Sequence, residues 1–214
     1  MTISLETIGR TMTQETRSRR PEAHLFAGAR KSIRYVLLSS GLALAFWALQ
    51  FVYQYFFLLS GELGGSILRS FALSGATLIG AALIIGPLRT LFPKHNFVRH
   101  RRTVGVWGFT FIIMHFLSVI TFLFEFDALA LFWHPNPFAN PILFAVFSFP
   151  IFTAMWTTST DWAVARLGFR RWKAIHRLVF LAYISAILHF SLINAELLLN
   201  PAGYILIATT VAAL

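Results

Sequence analysis

Hydrophobic residues run in long unbroken stretches along this chain, and short polar segments separate them. The apolar stretches cover residues 33–59, 70–88, 104–124, 141–160 and 174–193, and a sixth runs from residue 203 to the last residue, Leu214. A membrane-spanning helix needs about 20 apolar residues, so the pattern predicts five complete spans and an incomplete sixth. Runs such as LALAFWALQFVYQYFFLL lack the polar–apolar alternation of barrel strands. We therefore predict an all-α integral membrane protein, a six-helix transmembrane bundle.

The basic residues predict the orientation of these helices. With the N-terminus on the cytosolic side, the inner segments hold all but one of the 18 Lys and Arg residues, and the exception is Arg69. Positive residues collect on the cytoplasmic side of membrane proteins, so residues 1–32 are predicted to be a polar, basic cytosolic tail and residues 33–214 one membrane domain. The formal charge of +10 is then an orientation signal, and no nucleic acid partner is expected.

Several kinds of chemistry are disfavoured by what the chain contains. The sequence has no cysteine, which removes iron–sulfur clusters and thiolate metal sites and leaves histidine as the main soft-metal ligand. It also has no phosphate-binding GxxxxGK[ST] loop, no HExxH and no GxSxG, the motifs of common nucleotide and hydrolase sites. Every Asp and Glu falls in a loop or at the end of a span, which disfavours proton or ion transport.

Two histidines within the predicted spans are candidate cofactor ligands. At a rise of about 1.5 Å per residue, His115 lies roughly 20 Å beyond Arg102 and His189 roughly 27 Å beyond Arg171. Their spans run in the same direction, so neighbouring helices would bring the two imidazoles face to face in the outer half of the membrane. Buried axial histidines from two helices are one way to hold haem, and we expect the aromatic lining to include Phe111, Phe116, Phe180 and Phe190. A histidine in a span also serves as a hydrogen-bond partner between helices, and this alternative stays open.

His176 raises the question of a second haem. It stands thirteen residues before His189, or about 20 Å along a helix, but ideal geometry puts the two side chains roughly 140° apart around the axis. The position expected for its partner, fourteen residues before His115, holds Arg101. Arg101 and Arg102 are candidates to pair with haem propionates or with a flavin phosphate such as that of FMN, and equally candidates for simple inner-side anchors. One haem or two therefore stays open.

Two long motifs carry a resemblance to a known family. The stretches RHRRTVGVWGFTFIIMHF and TSTDWAVARLGFRRWKAIHRLVFLAYISAILHF resemble the MsrQ (YedZ) family of haem-binding membrane subunits, within the ferric-reductase-like transmembrane superfamily. The resemblance implies six helices in the bacterial inner (cytoplasmic) membrane and b-type haem held by His115, His176 and His189. It also implies that Arg101 contributes to binding a flavin or an inner cofactor.

The same resemblance implies a function with two partners. Electrons would come from a cytosolic flavin reductase or from the quinone pool and pass to a periplasmic molybdopterin methionine sulfoxide reductase, which would reduce the substrate. We therefore expect an electron-transfer subunit of an oxidoreductase. The alternatives are a ferric-chelate reductase that acts alone and a non-catalytic scaffold subunit of a larger membrane complex.

Overall fold

The computed structural model of the protein describes residues 33–59, 61–91 and 98–193, and within these ranges all regular secondary structure is helical. The chain divides into two compact units, Met1–Leu44 and Ala45–Leu214. Helix α1, Ile33–Leu58, begins in the first unit and ends in the second with the π-helical turn Gln54–Leu58. The described part of the first unit is mainly exposed and apolar, for example at Leu37, Leu38 and Leu42, as a surface in contact with lipid requires.

The second unit contains the remaining helices. A 3₁₀ turn, Ala128–Phe132, lies between α3 and α4, and α3 continues after Ser118 as the π-helical turn Val119–Leu123. The helices in chain order are α2 Leu63–Leu91, α3 Val98–Ser118, α4 Ile142–Thr157, α5 Asp161–Leu167, α6 Phe169–Arg177 and α7 Val179–Ile193.

The predicted all-α membrane fold is confirmed, and the described helices account for four of the six predicted spans, or for five if α4 and α5 together form one bent span. Four of them are long and apolar enough to cross a membrane: Ile33–Leu58, Leu63–Pro87, His100–Leu123 and Phe169–Ile193. A fifth candidate joins α4 to α5 across a bend of 96°. The sixth predicted span and the predicted cytosolic tail lie outside the described residues, and the cytosolic placement of the N-terminus stays a prediction.

Helix α2 begins seven residues before the predicted start of its span at residue 70. The glycines of the preceding segment SGELGGS favour a turn, but the helix already starts at Leu63. The carboxylate of Glu62 accepts a hydrogen bond from the backbone N–H of Gly65, and this contact satisfies a free donor of the first turn. An acidic group at this end also interacts favourably with the helix dipole.

Helices α2 and α3 pack with their backbones in close approach. A Cβ atom on Gly108 would lie 2.9 Å from the backbone nitrogen of Ile79, and one on Gly75 would lie 2.7 Å from Cδ1 of Ile112. Small residues allow helices in membranes to approach in this way. The pairing of early α2 residues with late α3 residues makes the two helices antiparallel.

The apolar core lies between α2, α3, α4 and α7. Helix α7 is linked to two neighbours by hydrogen bonds from its side chains: the hydroxyl of Tyr183 donates to the carbonyl of Ala76 in α2 at 3.4 Å, and Ser185 donates to that of Phe144 in α4 at 2.8 Å. Such bonds orient α7 about its own axis. The buried core residues are Leu73, Ile79, Leu83, Phe109, Phe152, Val179, Ala182 and Tyr183.

Candidate cofactor-binding cavity

A cavity of about 390 Å³ opens among α2, α3, α4 and α7. Its volume lies in the range of about 300–1,000 Å³ that is typical of sites for small molecules and cofactors. The wall is nearly all aliphatic or aromatic, and the side chains with a polar group are those of Arg69, His115, Ser148, Tyr183 and His189. We call it the His115–His189 cavity.

Helix α3 supplies His115 to this cavity with a defined tautomer. The Nδ1 atom of His115 lies 3.0 Å from the backbone carbonyl oxygen of Leu68 in α2. A carbonyl oxygen can only accept, so Nδ1 carries the hydrogen and Nε2 keeps a lone pair. A second hydrogen bond of this kind is how proteins orient a histidine that binds a metal through its other nitrogen.

Helix α7 supplies His189 in the same chemical form. Its Nδ1 atom lies 3.0 Å from the carbonyl oxygen of Pro141, the residue that precedes α4. His189 therefore also donates from Nδ1 and keeps the Nε2 lone pair. The cavity wall thus carries two imidazoles, from two different helices, that are both prepared to act as neutral nitrogen ligands.

The structure brings together the two histidines that were predicted to lie at similar depth in the membrane. His115 and His189 both line the cavity, and so do Phe116 and Phe190; ligation by the two imidazoles stays a prediction. Phe111 and Phe180, also expected in the lining, are absent from it. Phe111 instead packs against the rings of Phe71 and Trp107, and Phe180 is exposed.

The ligand set suits a metal that brings its own equatorial ligands. Among the described residues, no group of three or more His, Cys, Asp or Glu side chains is arranged to hold a metal ion. A bare Zn²⁺ or Fe²⁺ site takes three or four protein ligands. Haem iron needs only one or two axial ligands from the protein, because the porphyrin supplies the other four.

His176 lies apart from this cavity, in α6, and is absent from its lining. Both of its ring nitrogens are buried and have no hydrogen-bond partner among the described residues. The ring of Trp172 meets the His176 ring edge-on at a centroid distance of 4.1 Å, and Trp172 is itself held by a 3.0 Å hydrogen bond from Nε1 to the carbonyl of Thr158. Buried ring nitrogens without a partner are uncommon in proteins, and ligation by His176 stays a prediction.

Arg101 and Arg102 lie near His176 but differ in their own contacts. The positive charges of both act on the His176 imidazole, so the three predicted residues form one group. Arg102 Nη1 lies 2.7 Å from Oδ1 of Asp161, the one ion pair between described residues. The Arg101 guanidinium lies beside Gly86, 3.6 Å from where a Cβ atom would stand, and is in no such pair. Arg101 is therefore the guanidinium of the two that is available to an anion.

Sequence reasoning missed four contributors to the site. The carbonyls of Leu68 and Pro141 orient the histidines, but a backbone oxygen leaves no signal in side-chain chemistry. Arg69 lines the cavity, and its signal was present: it is the one Lys or Arg on the predicted outer side. Asn140, which is fully buried, lies in the segment HPNPFANP, whose prolines favour turns and give no sign of a buried side chain.

Comparison with known proteins identifies a family that the chain matches. A family described as "Ferric reductase like transmembrane component" matches residues 67–187. The chain is similar to the protein-methionine-sulfoxide reductase heme-binding subunit MsrQ of Rhodospirillum rubrum, at 32% identity over 64% of this chain and 68% of the relative. The MsrQ of Caulobacter vibrioides is 30% identical over 63% of this chain and 65% of its own length.

A third relative, the MsrQ of Bordetella pertussis, is 34% identical over 50% of this chain and 52% of its length. The matches thus span between half and about two thirds of these relatives. No solved structure matches the chain.

Proposed function

The chain belongs to the family of ferric reductase like transmembrane components, and from this premise we propose that it transfers electrons across a membrane through b-type haem. The observation that carries the proposal is the pair of imidazoles in one apolar cavity, each with Nδ1 bonded to a backbone carbonyl and Nε2 left as a ligand atom. The three relatives named above are described as heme-binding subunits.

The residues of the cavity fit a haem. A porphyrin is a flat apolar ring, and the wall around the two histidines is built from leucine, isoleucine, valine, alanine and phenylalanine side chains. His115 and His189 would hold the iron. When bound, a haem supplies one-electron transfer at its iron.

The chain itself would contribute position and environment. The carbonyls of Leu68 and Pro141 hold the two imidazoles in one orientation and raise the basicity of their ligand nitrogens. The apolar wall excludes water and lowers the local dielectric constant, which tunes a reduction potential. The hydrogen bonds of α7 to α2 and α4 keep His189 facing the cavity.

We further propose the direction of transfer and the partners. Electrons enter from a cytosolic flavin reductase or quinol at the basic inner face and leave at the acidic outer face to a periplasmic molybdopterin methionine sulfoxide reductase, in the bacterial inner membrane. The charge asymmetry of the loops and the printed names of the relatives support this. His176, Arg101 and Arg102 would serve the entry side, as ligands of an inner haem or as contacts to FMN.

A reduced-minus-oxidised absorption spectrum of the purified protein, with pyridine extraction, tests the proposal. Wild type should show b-type bands, and His115→Ala and His189→Ala should each abolish the bands of this site. The matched control is His134→Asn, because the His134 side chain is absent from the cavity lining, its Nδ1 accepts the N–H of Asn136, and asparagine forms the same turn.

Bands that persist in both alanine variants would reject the ligand assignment, and colourless wild type would favour a scaffold. Rapid reoxidation of the reduced protein by chelated iron alone would instead favour a ferric-chelate reductase.

A further inference from the structure

Arg69 is an unusual component of the cavity wall. It lies in α2 one residue after Leu68, whose carbonyl holds His115, and it is the one Lys or Arg in the lining. A charged side chain within a membrane-spanning helix is costly and in most proteins has a partner or a function. The wall to which Arg69 contributes is mostly apolar, so it offers the guanidinium few polar partners.

No partner for Arg69 is found among the described residues. The single ion pair there joins Arg102 to Asp161, and no hydrogen bond from the Arg69 side chain is formed to any described group. Glu62 is the acid nearest in sequence, and its carboxylate is already bonded to the Gly65 N–H. A guanidinium offers five donors in a planar fork and cannot lose its charge, so its position calls for an anion.

We infer that Arg69 anchors a carboxylate of the ligand that occupies the His115–His189 cavity. This inference rests on the proposed function and deepens it, because haem carries two propionates at one edge of an otherwise apolar ring. A guanidinium pairs with a carboxylate through two parallel hydrogen bonds. His115 and His189 would then bind the centre of the ring and Arg69 its acidic edge, which fixes the rotation of the ring in its plane.

A lipid phosphate is the other anion that a long cationic side chain near a helix end can reach. Arg69 follows the first residue of α2 by six positions, or about 9 Å along the axis, so a headgroup is within reach of this side chain. The cavity ligand is favoured because Arg69 contributes to the cavity wall itself. The experiment separates the two anions.

The test compares haem with haem dimethyl ester, in which both propionates are neutralised. The full chain, produced in haem-deficient cells and purified in detergent, is titrated with each compound as wild type, Arg69→Ala and Arg69→Lys. Arg166→Ala is the matched control, since Arg166 is exposed, lies in the last turn of α5 and is absent from the cavity. Binding of the ester also reports that each variant is folded.

Arg69→Ala should weaken haem binding about tenfold, the scale of one charge-assisted hydrogen-bonded contact, and leave ester binding at the wild-type value. It should also lower the midpoint potential of bound haem by about 59 mV, the equivalent of a tenfold change for one electron. A propionate left without its cation favours the oxidised iron. The haem affinity and midpoint potential of Arg69→Lys should lie between those of wild type and Arg69→Ala. Lysine keeps the positive charge but loses the planar, two-pronged donor geometry of the guanidinium.

An Arg69→Ala variant that still binds the ester but weakens haem and ester equally, or weakens neither, would overturn the inference, and unchanged binding of both would point to lipid. If the alanine variant loses both ligands, the lysine variant decides by the same comparison. Wild type that binds neither compound would reject the proposed function and this inference with it. Wild type that binds both, with loss in His115→Ala and His189→Ala, would uphold the function whatever Arg69 does.

Discussion

The Nδ1 atom of His189 donates to the carbonyl oxygen of Pro141 at 3.0 Å, and the residue before Pro141 is a fully buried asparagine. Asn140 donates from Nδ2 to the carbonyl of Leu131 at 2.8 Å and to that of His134 at 3.4 Å. Leu131 is itself part of the cavity wall. The loop before α4 therefore serves both as a wall of the cavity and as the support of one candidate ligand.

Replacing Asn140 with alanine should loosen this support. The change leaves buried carbonyls without a donor, which costs about 1–3 kcal/mol, and frees the loop that places the Pro141 oxygen. We expect a lower unfolding midpoint, measured by circular dichroism during denaturant titration, and a shifted haem spectrum in the loaded protein.

Asn136→Asp is the matched control for Asn140→Ala. Asn136 is exposed, and its Oδ1 accepts the N–H of Phe138 at 3.0 Å; aspartate keeps this acceptor. The free energy of unfolding of Asn136→Asp should stay within about 0.5 kcal/mol of wild type, as for most surface substitutions. A haem spectrum that is unchanged in Asn140→Ala would show that the loop does not orient His189.

Because α2 and α3 pack closely, alanine substitutions at two glycines of α3, Gly105 and Gly108, should differ in their effect on stability. Gly108→Ala should destabilise the protein by about 1–3 kcal/mol, because its Cβ atom would lie 2.9 Å from the backbone nitrogen of Ile79. Gly105→Ala should be tolerated, because the nearest atom to its Cβ is the Ala82 Cβ at 3.7 Å. Denaturant titration of both variants checks this, and equal losses would contradict the contact.

Span positions were largely predictable because a bilayer demands long apolar helices, and no other pattern in the sequence competes with that demand. The early start of α2 was missed because glycines suggest a turn, while the first turn of the helix is stabilised by hydrogen bonds to Glu62, among them the one from the Gly65 N–H to its carboxylate. That contact is between a side chain and a backbone N–H three residues later, and composition alone does not reveal it. Local hydrogen bonding therefore determines where α2 begins.

The part of the candidate site that could be predicted from the sequence is the part that depends on how deep each residue lies in the membrane. Counting residues from the inner ends of the spans placed His115 and His189 at similar depth, and both line one cavity. Counting cannot give helix rotation, which is why Phe111 and Phe180 were wrongly expected in the lining. Rotation depends on contacts such as Tyr183 with Ala76 and Ser185 with Phe144, which join residues distant in sequence.

The two inner arginines should differ in flavin binding. Arg102 is already paired with Asp161 at 2.7 Å, whereas Arg101 forms no ion pair with any described residue. We expect Arg101→Ala to weaken FMN binding about tenfold and Arg102→Ala to weaken it less, since one charge-assisted contact contributes about 1.5–3 kcal/mol. Quenching of FMN fluorescence during titration measures both.

Asp161→Asn is the control for this comparison of arginines. It breaks the exposed ion pair, which typically contributes about 0–1 kcal/mol, and so leaves the fold intact while it frees the Arg102 guanidinium. FMN binding in this variant should equal or exceed that of wild type. A larger loss in Arg102→Ala than in Arg101→Ala would contradict the assignment.

His176 provides a prediction in which stability and cofactor content change in opposite directions. Its two ring nitrogens are buried without partners, which costs free energy in the protein without cofactor. His176→Leu removes that cost and should leave this form equally stable or more stable, by up to about 1–3 kcal/mol. If the imidazole is a ligand of an inner haem, the same substitution should remove one haem per chain, counted by pyridine extraction. A structural histidine would give the reverse, namely a destabilised chain with its haem content unchanged.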